Sequence, residues 1–209
     1  MFGLLKRTKI RLWEIELLKN VLSELPEEFN KYIEQINLGL FKGVSIGNAA
    51  IPGYVGFTND PDIYNEIHDE KGRDFEVYNV KIYDTISGAY LQYSIFFSFG
   101  TIDGYAILGS KKFKIDIQKY NVADIKLRFR DSIDFNRIKK ILTPKELDLI
   151  NPSDVYVIAL ENKEYFHLTD IEDGNFYAVD RDKTLYRITH DPYQVEKIDA
   201  SLSDLLGVN

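Results

Sequence analysis

The sequence predicts an α+β fold in which antiparallel sheet is the largest component. Three observations predict it: helical periodicity in a few short segments, a long period-two pattern in mid-chain, and 14 Tyr and 13 Phe against one Trp and one Met. Aromatic rings of this kind suit the half-buried face of a sheet. No low-complexity break divides the chain, so we expect a single domain. Its regions are a helical hairpin (1–38), a first sheet region (39–131), helices (132–151), and a second meander with a terminal helix (152–209).

A helical hairpin is predicted at the start of the chain, with helices over 10–24 and 26–37. Pro26 fits the first turn of the second helix, where a missing amide proton is tolerated. The buried stripe of that helix follows the spacing i, i+3, i+4, i+7, at Phe29, Tyr32, Ile33 and Ile36. The glycine-rich stretch 39–56 lacks the spacing of a phosphate-binding loop, so we interpret it as turns and short strands.

The first meander is predicted from Phe75 onward, where the apolar period changes to two. The clearest strand has one apolar face, made of Leu91, Tyr93, Ile95, Phe97 and Phe99. Ser87-Gly88 and Asp103-Gly104 are favoured hairpin pairs and are predicted to be the turns at its two ends. A further strand over 113–117 completes a predicted meander of four consecutive strands.

The second half is predicted to contain a capped helical segment and another meander. Thr143-Pro-Lys-Glu146 combines an N-cap, a first-turn proline and a capping-box glutamate. Four strands follow between 155 and 190, with Asp173-Gly174 at one of their turns. Residues 201–206 have a serine cap and an apolar pair, which predicts a short C-terminal helix.

Charge is distributed unevenly along the chain. The formal net charge is −7, but residues 145–209 carry 14 acidic against 6 basic side chains. Nucleic acid is therefore an unlikely partner of this segment, because phosphate contacts need clustered Lys and Arg. The basic stretch 111–140 alternates with apolar residues and fits a solvated sheet face or pairing with the acidic segment better than a nucleic-acid surface.

The residue types exclude most catalytic and metal-binding classes. The chain has no cysteine, which removes thiolate sites and disulfides. His68, His167 and His190 lack the spacing of a zinc or di-iron site, and the serines lack a nucleophile elbow. Asp170-x-Glu172-Asp173-Gly174 does not follow the calcium-loop pattern. We therefore predict no catalytic residue, no metal site and no cofactor. No export signal or membrane-spanning run is visible, so we expect a cytoplasmic protein.

Segments near both ends resemble the SUKH superfamily, the SMI1/KNR4-like domain. Leu25-Pro-Glu-Glu-Phe29 is similar to the Leu-Pro helix start of that family. Asp173–Asp180 and Leu185–Asp191 resemble its late strands, and Ile198–Leu206 resembles its closing turn. The family's glycine pair appears here as Asn37-Leu38-Gly39, and residues 65–150 match none of its motifs. The resemblance implies a non-enzymatic domain, often a bacterial immunity protein that neutralises a toxin.

The leading hypothesis is a protein-binding module with an immunity-type or regulatory role. Its acidic surface is expected to meet a protein partner, such as a basic toxin domain, because complementary charge steers association. The candidate partner-binding residues are Asp170, Glu172, Asp173, Asp180 and Asp182. One alternative is a small-ligand binder or enzyme that uses carboxylates and tyrosines in a cleft. Another is a structural or assembly subunit. The sequence does not define the oligomeric state.

Overall fold

The computed structural model describes residues 8–46, 51–109 and 112–206. Within these residues the chain forms six α-helices and twelve β-strands, and every strand pairing is antiparallel. The predicted α+β class is therefore confirmed. Parts of the predicted helical region (1–7), of the glycine-rich stretch (47–50), of the basic stretch (Lys111) and of the last region (207–209) lie outside the described residues.

The chain divides into two compact units. Unit 1 comprises Met1–Asp69 and Phe75–Phe129, and unit 2 comprises Glu70–Asp74 and Arg130–Asn209. Residues 70–74 belong to unit 2 and interrupt unit 1 in the chain. Compact units are compatible with one domain or with two, so the single domain stays a prediction.

Unit 1 contains three helices and a seven-stranded sheet. The helices are α1 (Leu12–Ser23), α2 (Asn30–Leu38) and α3 (Pro61–Ile67), and a 3-10 turn (Glu27–Phe29) precedes α2. The strands are β1 (Phe41–Ser45), β2 (Tyr54–Asn59), β3 (Phe75–Asp84), β4 (Ala89–Ser98), β5 (Thr101–Leu108), β6 (Ile115–Asn121) and β7 (Lys126–Phe129). The predicted helical hairpin and the short strands of the glycine-rich stretch are confirmed.

The strand order of this sheet is β1-β2-β5-β4-β3-β6, and β7 also pairs with β3. The predicted meander of four consecutive strands is therefore wrong at its last member, because β6 pairs with β3 and not with β5. The free edge of β5 is occupied by β2, through the pairs Tyr54 with Ala106 and Gly56 with Gly104. The outer edge of β3 remains for β6 and β7.

Asp103-Gly104 is not a hairpin turn, contrary to the prediction, and lies inside β5. The turn between β4 and β5 is Phe99-Gly100, where both residues have positive φ (47° and 70°). A side chain at residue 104 is excluded because a Cβ there would lie 2.5 Å from the Val55 carbonyl oxygen. The glycine thus serves the close approach of β2.

Buried apolar side chains of α1, α2 and the sheet form the core of unit 1. From α1, the residues Leu17, Leu18, Val21 and Leu22 have no exposed surface. The sheet supplies Val80, Ile82, Ile95 and Ile102, which are equally inaccessible. Four residues of the predicted period-two face, Leu91, Tyr93, Ile95 and Phe97, are buried in this core, whereas Phe99 lies in the turn after β4.

Unit 2 contains three helices and a five-stranded sheet. The helices are α4 (Phe135–Ile138), α5 (Pro144–Leu147) and α6 (Leu202–Leu205). The strands are β8 (Val157–Leu160), β9 (Lys163–Asp170), β10 (Phe176–Val179), β11 (Leu185–His190) and β12 (Tyr193–Ile198), in the order β12-β11-β10-β9-β8. The meander has one strand more than predicted, because β12 continues it after His190. The capping box of Thr143 and Glu146 is confirmed.

Candidate functional site

Acidic side chains of unit 2 line an open cleft of about 640 Å³ at one end of its sheet. The turn between β9 and β10 supplies most of them, and the segment 70–74 supplies one more. We call this the acidic cleft; its lining residues are Glu70, Asp170, Ile171, Glu172, Asp173, Asn175, Tyr177 and Arg187. Among these lining residues, four carry a carboxylate and one, Arg187, carries a positive charge. The cleft is therefore electronegative.

A tight turn directs the acidic side chains outward. Asp173 and Gly174 both have positive φ, 62° and 71°, the left-handed conformation that glycine and aspartate tolerate. The Asn175 side-chain amide donates to the Glu172 carbonyl (2.9 Å), and the Ile171 amide donates to the Asn175 carbonyl (2.7 Å). These hydrogen bonds close the turn, while the side chains of Glu172 and Asp173 stay exposed.

Glu70 reaches the cleft because the segment 70–74 is tied to the loop before β8. The side-chain amide of Asn151 donates to the carbonyls of Glu70 (3.4 Å) and Gly72 (3.2 Å). The Asp74 amide donates to the Ser153 hydroxyl (3.0 Å). Asn151 is itself 4% exposed, so these bonds are largely shielded from water.

A buried histidine lies directly behind the acidic cleft. His167 of β9 has no exposed surface, and its ring stacks on Tyr156 with centroids 4.5 Å apart. Its Nδ1 lies 3.1 Å from the backbone carbonyl oxygen of Asp154, and its Nε2 lies 3.0 Å from Oδ1 of Asp170. The ring is therefore fixed between two oxygen atoms, one of which belongs to a cleft carboxylate.

Asp154 completes a cluster of three ionisable groups around this ring. One ligand atom each from Asp154, His167 and Asp170 lies within 4.8 Å of the others. Burial raises the pKa of Asp154, and the negative charges of Asp170 and Asp74 add to this, against the lowering effect of His167. The sequence did not predict this cluster, because the loop residue Asp154 has no fixed spacing from the strand residues.

Three of the five predicted partner-binding residues, Asp170, Glu172 and Asp173, meet in the acidic cleft. Asp182 is exposed in the turn between β10 and β11 and is not among the described residues that line the cleft. Asp180 is 2% exposed, and its carboxylate binds Lys163 Nζ at 2.6 Å. The position of Asp180 is therefore internal, contrary to its assignment to an acidic surface.

The cleft also contains three residues that were not predicted from the sequence, Glu70, Tyr177 and Arg187. Tyr177 and Arg187 are direct cross-strand partners in the β10–β11 hairpin, so the register of that hairpin is the signal that pairs them. Glu70 is about a hundred residues earlier in the chain and has no local signal. Asn175 was available from its position directly after Asp173-Gly174.

Comparison with known proteins leaves the chain unassigned: no family model, no curated protein and no solved structure matches it. The SUKH resemblance therefore stays a prediction. Among the helices of residues 8–46, 51–109 and 112–206, none has the length and apolar character required to span a membrane.

Proposed function

We propose that this chain is a non-enzymatic, cytoplasmic protein-binding module that recognises a basic protein partner through the acidic cleft. The observation that carries the proposal is the convergence of four carboxylates, from Glu70, Asp170, Glu172 and Asp173, on a cleft with one guanidinium. A volume of about 640 Å³ accommodates one or two long cationic side chains of a partner.

The electrostatics of the cleft favour rapid and oriented association. Complementary charge raises association rates and suppresses partners of the wrong sign. The planar arginine fork is suited to carboxylate pairs, because it donates two parallel hydrogen bonds. The exposed Glu172 and Asp173 on a rigid turn lose little conformational freedom of the backbone on binding.

The SUKH resemblance supports a toxin domain as the class of partner, with an immunity-type role for the chain. A regulatory partner of the same charge would use the same surface. The experiment that separates these roles is co-purification of the full chain with the product of an adjacent toxin-like gene, followed by a toxicity assay in the presence and absence of the chain. Retention without protection would support the regulatory role, and the absence of any retained basic partner would contradict the proposal.

Reversing the charge of the turn is expected to weaken partner binding. The double variant Glu172→Lys/Asp173→Lys should raise the Kd for a basic partner about tenfold or more, because two attractive contacts become repulsive. Isothermal titration at two salt concentrations measures the effect, and the wild-type affinity should fall with salt.

A matched control carries the same change of net charge at other exposed positions. Glu161→Lys/Asp182→Lys substitutes two exposed residues of unit 2, in turns at the end of β9 and β10 opposite the Glu172–Asp173 turn, and neither is a lining residue of the acidic cleft. Its affinity should stay within about twofold of wild type at physiological salt, where distant charges are screened. Equal losses in both double variants would show that net charge, and not the cleft, decides binding.

A second candidate function, small-ligand binding, is favoured by a pocket in unit 1. This aromatic pocket, of about 500 Å³, includes Trp13, Tyr54, Tyr105, Ile107 and Phe113 in its lining. Trp13 meets Tyr105 and Phe113 edge to face, with centroids 6.4 and 6.2 Å apart. Rings and aliphatic side chains of this kind accommodate a small aromatic ligand.

Trp13 is the sole tryptophan of the chain and therefore reports on the aromatic pocket directly. Titration with anilinonaphthalene sulfonate should quench its fluorescence saturably at one equivalent. Val55→Phe, which enlarges a half-buried lining residue, should weaken the response at least threefold by occupying space. A linear, unsaturable response that is equal in both proteins would contradict ligand binding here.

A further inference from the structure

We propose that Asp154, His167 and Asp170 form a binding site for a divalent transition-metal cation such as Zn²⁺, at the inner edge of the acidic cleft. Its ligands would be the two carboxylates and Nε2 of the imidazole. This site is distinct in chemistry from the partner-binding proposal, although both use Asp170.

The hydrogen bond at Nδ1 fixes the tautomer of His167. Its Nδ1 lies 3.1 Å from the backbone carbonyl of Asp154, which can only accept a hydrogen bond, so Nδ1 carries a proton. A backbone carbonyl in this position is the usual second partner of a metal-binding histidine, because it fixes the ring and leaves Nε2 with a lone pair.

The other ring nitrogen, Nε2, faces the Asp170 carboxylate. Oδ1 of Asp170 lies 3.0 Å from Nε2, and this oxygen also presents a lone pair. Two lone pairs at this distance repel each other unless a positive centre lies between or beside them. A second ring proton or a metal ion satisfies this requirement, and a metal ion would also engage the third group.

The third group is the carboxylate of Asp154, whose Oδ2 lies 3.8 Å from Nδ1, on the other side of the ring from the proposed ligand atom Nε2. One oxygen of each carboxylate and one ring nitrogen lie within 4.8 Å of one another, whereas ligands about 2.1 Å from a tetrahedral Zn²⁺ are about 3.4 Å apart. Binding therefore requires a contraction of about 1.4 Å or less. The Asp154 carboxylate has to provide it by rotating toward Nε2, because Oδ1 of Asp170 already lies 3.0 Å from that atom.

The surroundings hold one ligand rigid and leave one side open. The His167 ring is fully buried, stacked on Tyr156 and 5.4 Å from the ring of Phe176, and its amide donates to the Tyr156 carbonyl (2.9 Å). Asp170 lines the acidic cleft, which gives an ion a path from solvent. Three protein ligands leave a fourth position for water or for a donor atom of a bound molecule.

Titration of the chelator-treated full chain with ZnCl₂ tests the proposal without any protein partner. We expect saturable binding at one equivalent, detected by calorimetry. The ¹⁵N resonance of His167 Nε2 should shift on binding, while Nδ1 keeps its proton. Asp154→Asn and Asp170→Asn should each weaken binding about tenfold or more. Both replacements preserve shape, and Asp170 is largely exposed, so loss of fold does not explain the loss.

Asp182→Asn is the matched control, because it removes an exposed carboxylate from a neighbouring turn and should leave Zn²⁺ binding unchanged. The proposal is overturned if Zn²⁺ does not saturate one site, or if both Asn variants bind as wild type does. It is equally overturned if Nε2 of His167 keeps a proton at saturating Zn²⁺. Partner binding by Glu172→Lys/Asp173→Lys is measured separately, so failure of one proposal is distinguishable from failure of the other.

Discussion

Replacing Asp180 with Ala is expected to lower the free energy of unfolding of unit 2 by about 3 kcal/mol. The Asp180 carboxylate is 2% exposed and accepts hydrogen bonds from the amides of Thr184 (2.8 Å) and Asp182 (2.9 Å). It also binds Lys163 Nζ (2.6 Å) and the Tyr186 hydroxyl (3.1 Å). Removing it leaves several donors without their acceptor, and hydrogen bonds to a charged group contribute about 1.5–3 kcal/mol each before compensation.

Urea unfolding followed by far-ultraviolet circular dichroism measures this loss. Asp182→Ala is the matched control, since Asp182 is exposed in the same turn and contributes only its backbone amide to the network. Its effect should stay within about 0.5 kcal/mol. Similar values for the two variants would contradict the assignment of Asp180 to the interior network.

The stability difference between wild type and Asp180→Ala is expected to depend on pH, because the pKa of Asp180 is shifted. Burial raises this pKa, but the Lys163, Thr184 and Tyr186 donors outweigh burial and lower it. The stabilisation is therefore complete above the unfolded pKa of about 3.9 and is lost as the pH falls through the folded value. The difference between wild type and Asp180→Ala should be constant from pH 7 to pH 5 and should narrow in more acidic solution.

Replacing Gly104 with Ala is expected to destabilise unit 1 by about 3 kcal/mol. The new Cβ would lie 2.5 Å from the Val55 carbonyl oxygen and 2.7 Å from the Tyr54 hydroxyl. Tyr54 is held in turn by a hydrogen bond from its hydroxyl to the Asp103 carboxylate. The contact is therefore relieved only by moving β2 away from β5, and overpacking of this kind costs about 1–3 kcal/mol or more.

Trp13 fluorescence during urea unfolding measures this effect, because the sole tryptophan belongs to unit 1. Gly88→Ala is the control: its φ is also positive (69°), but a Cβ there would meet only the Tyr83 hydroxyl at 3.9 Å. That variant should lose about 1 kcal/mol, the cost of the left-handed conformation alone. A smaller loss at Gly104 than at Gly88 would show that β2 does not approach β5 this closely.

Asp180 and Gly104 also show which features of the fold can be predicted from the sequence and which cannot. Local rules were sufficient where neighbours in the chain decide the structure, as in the Thr143–Glu146 capping box and the Asp173-Gly174 turn. Asp103-Gly104 has the same local pattern as a hairpin turn, but the approach of β2, which is distant in the chain, requires the glycine inside a strand.

The candidate site divides in the same way. Asp170, Glu172 and Asp173 were predictable because one short turn carries them all. Asp180 also belongs to an acidic turn, but Lys163 and Tyr186, from two different strands, converge on its carboxylate and make it internal. Glu70 depends on the Asn151 side chain, which ties two distant segments together, and no spacing in the sequence records that bond.

The order of the five-stranded sheet leaves β8 and β12 as its two outer strands. Outer strands expose backbone groups on which a foreign strand can assemble, and this is a common origin of aggregation. On β8, the outward amide of Val157 donates to the Asp134 carboxylate (3.1 Å). On β12, the exposed Glu196 and Lys197 place charges along the rim. Each outer strand thus carries a feature that disfavours edge-to-edge pairing with another chain.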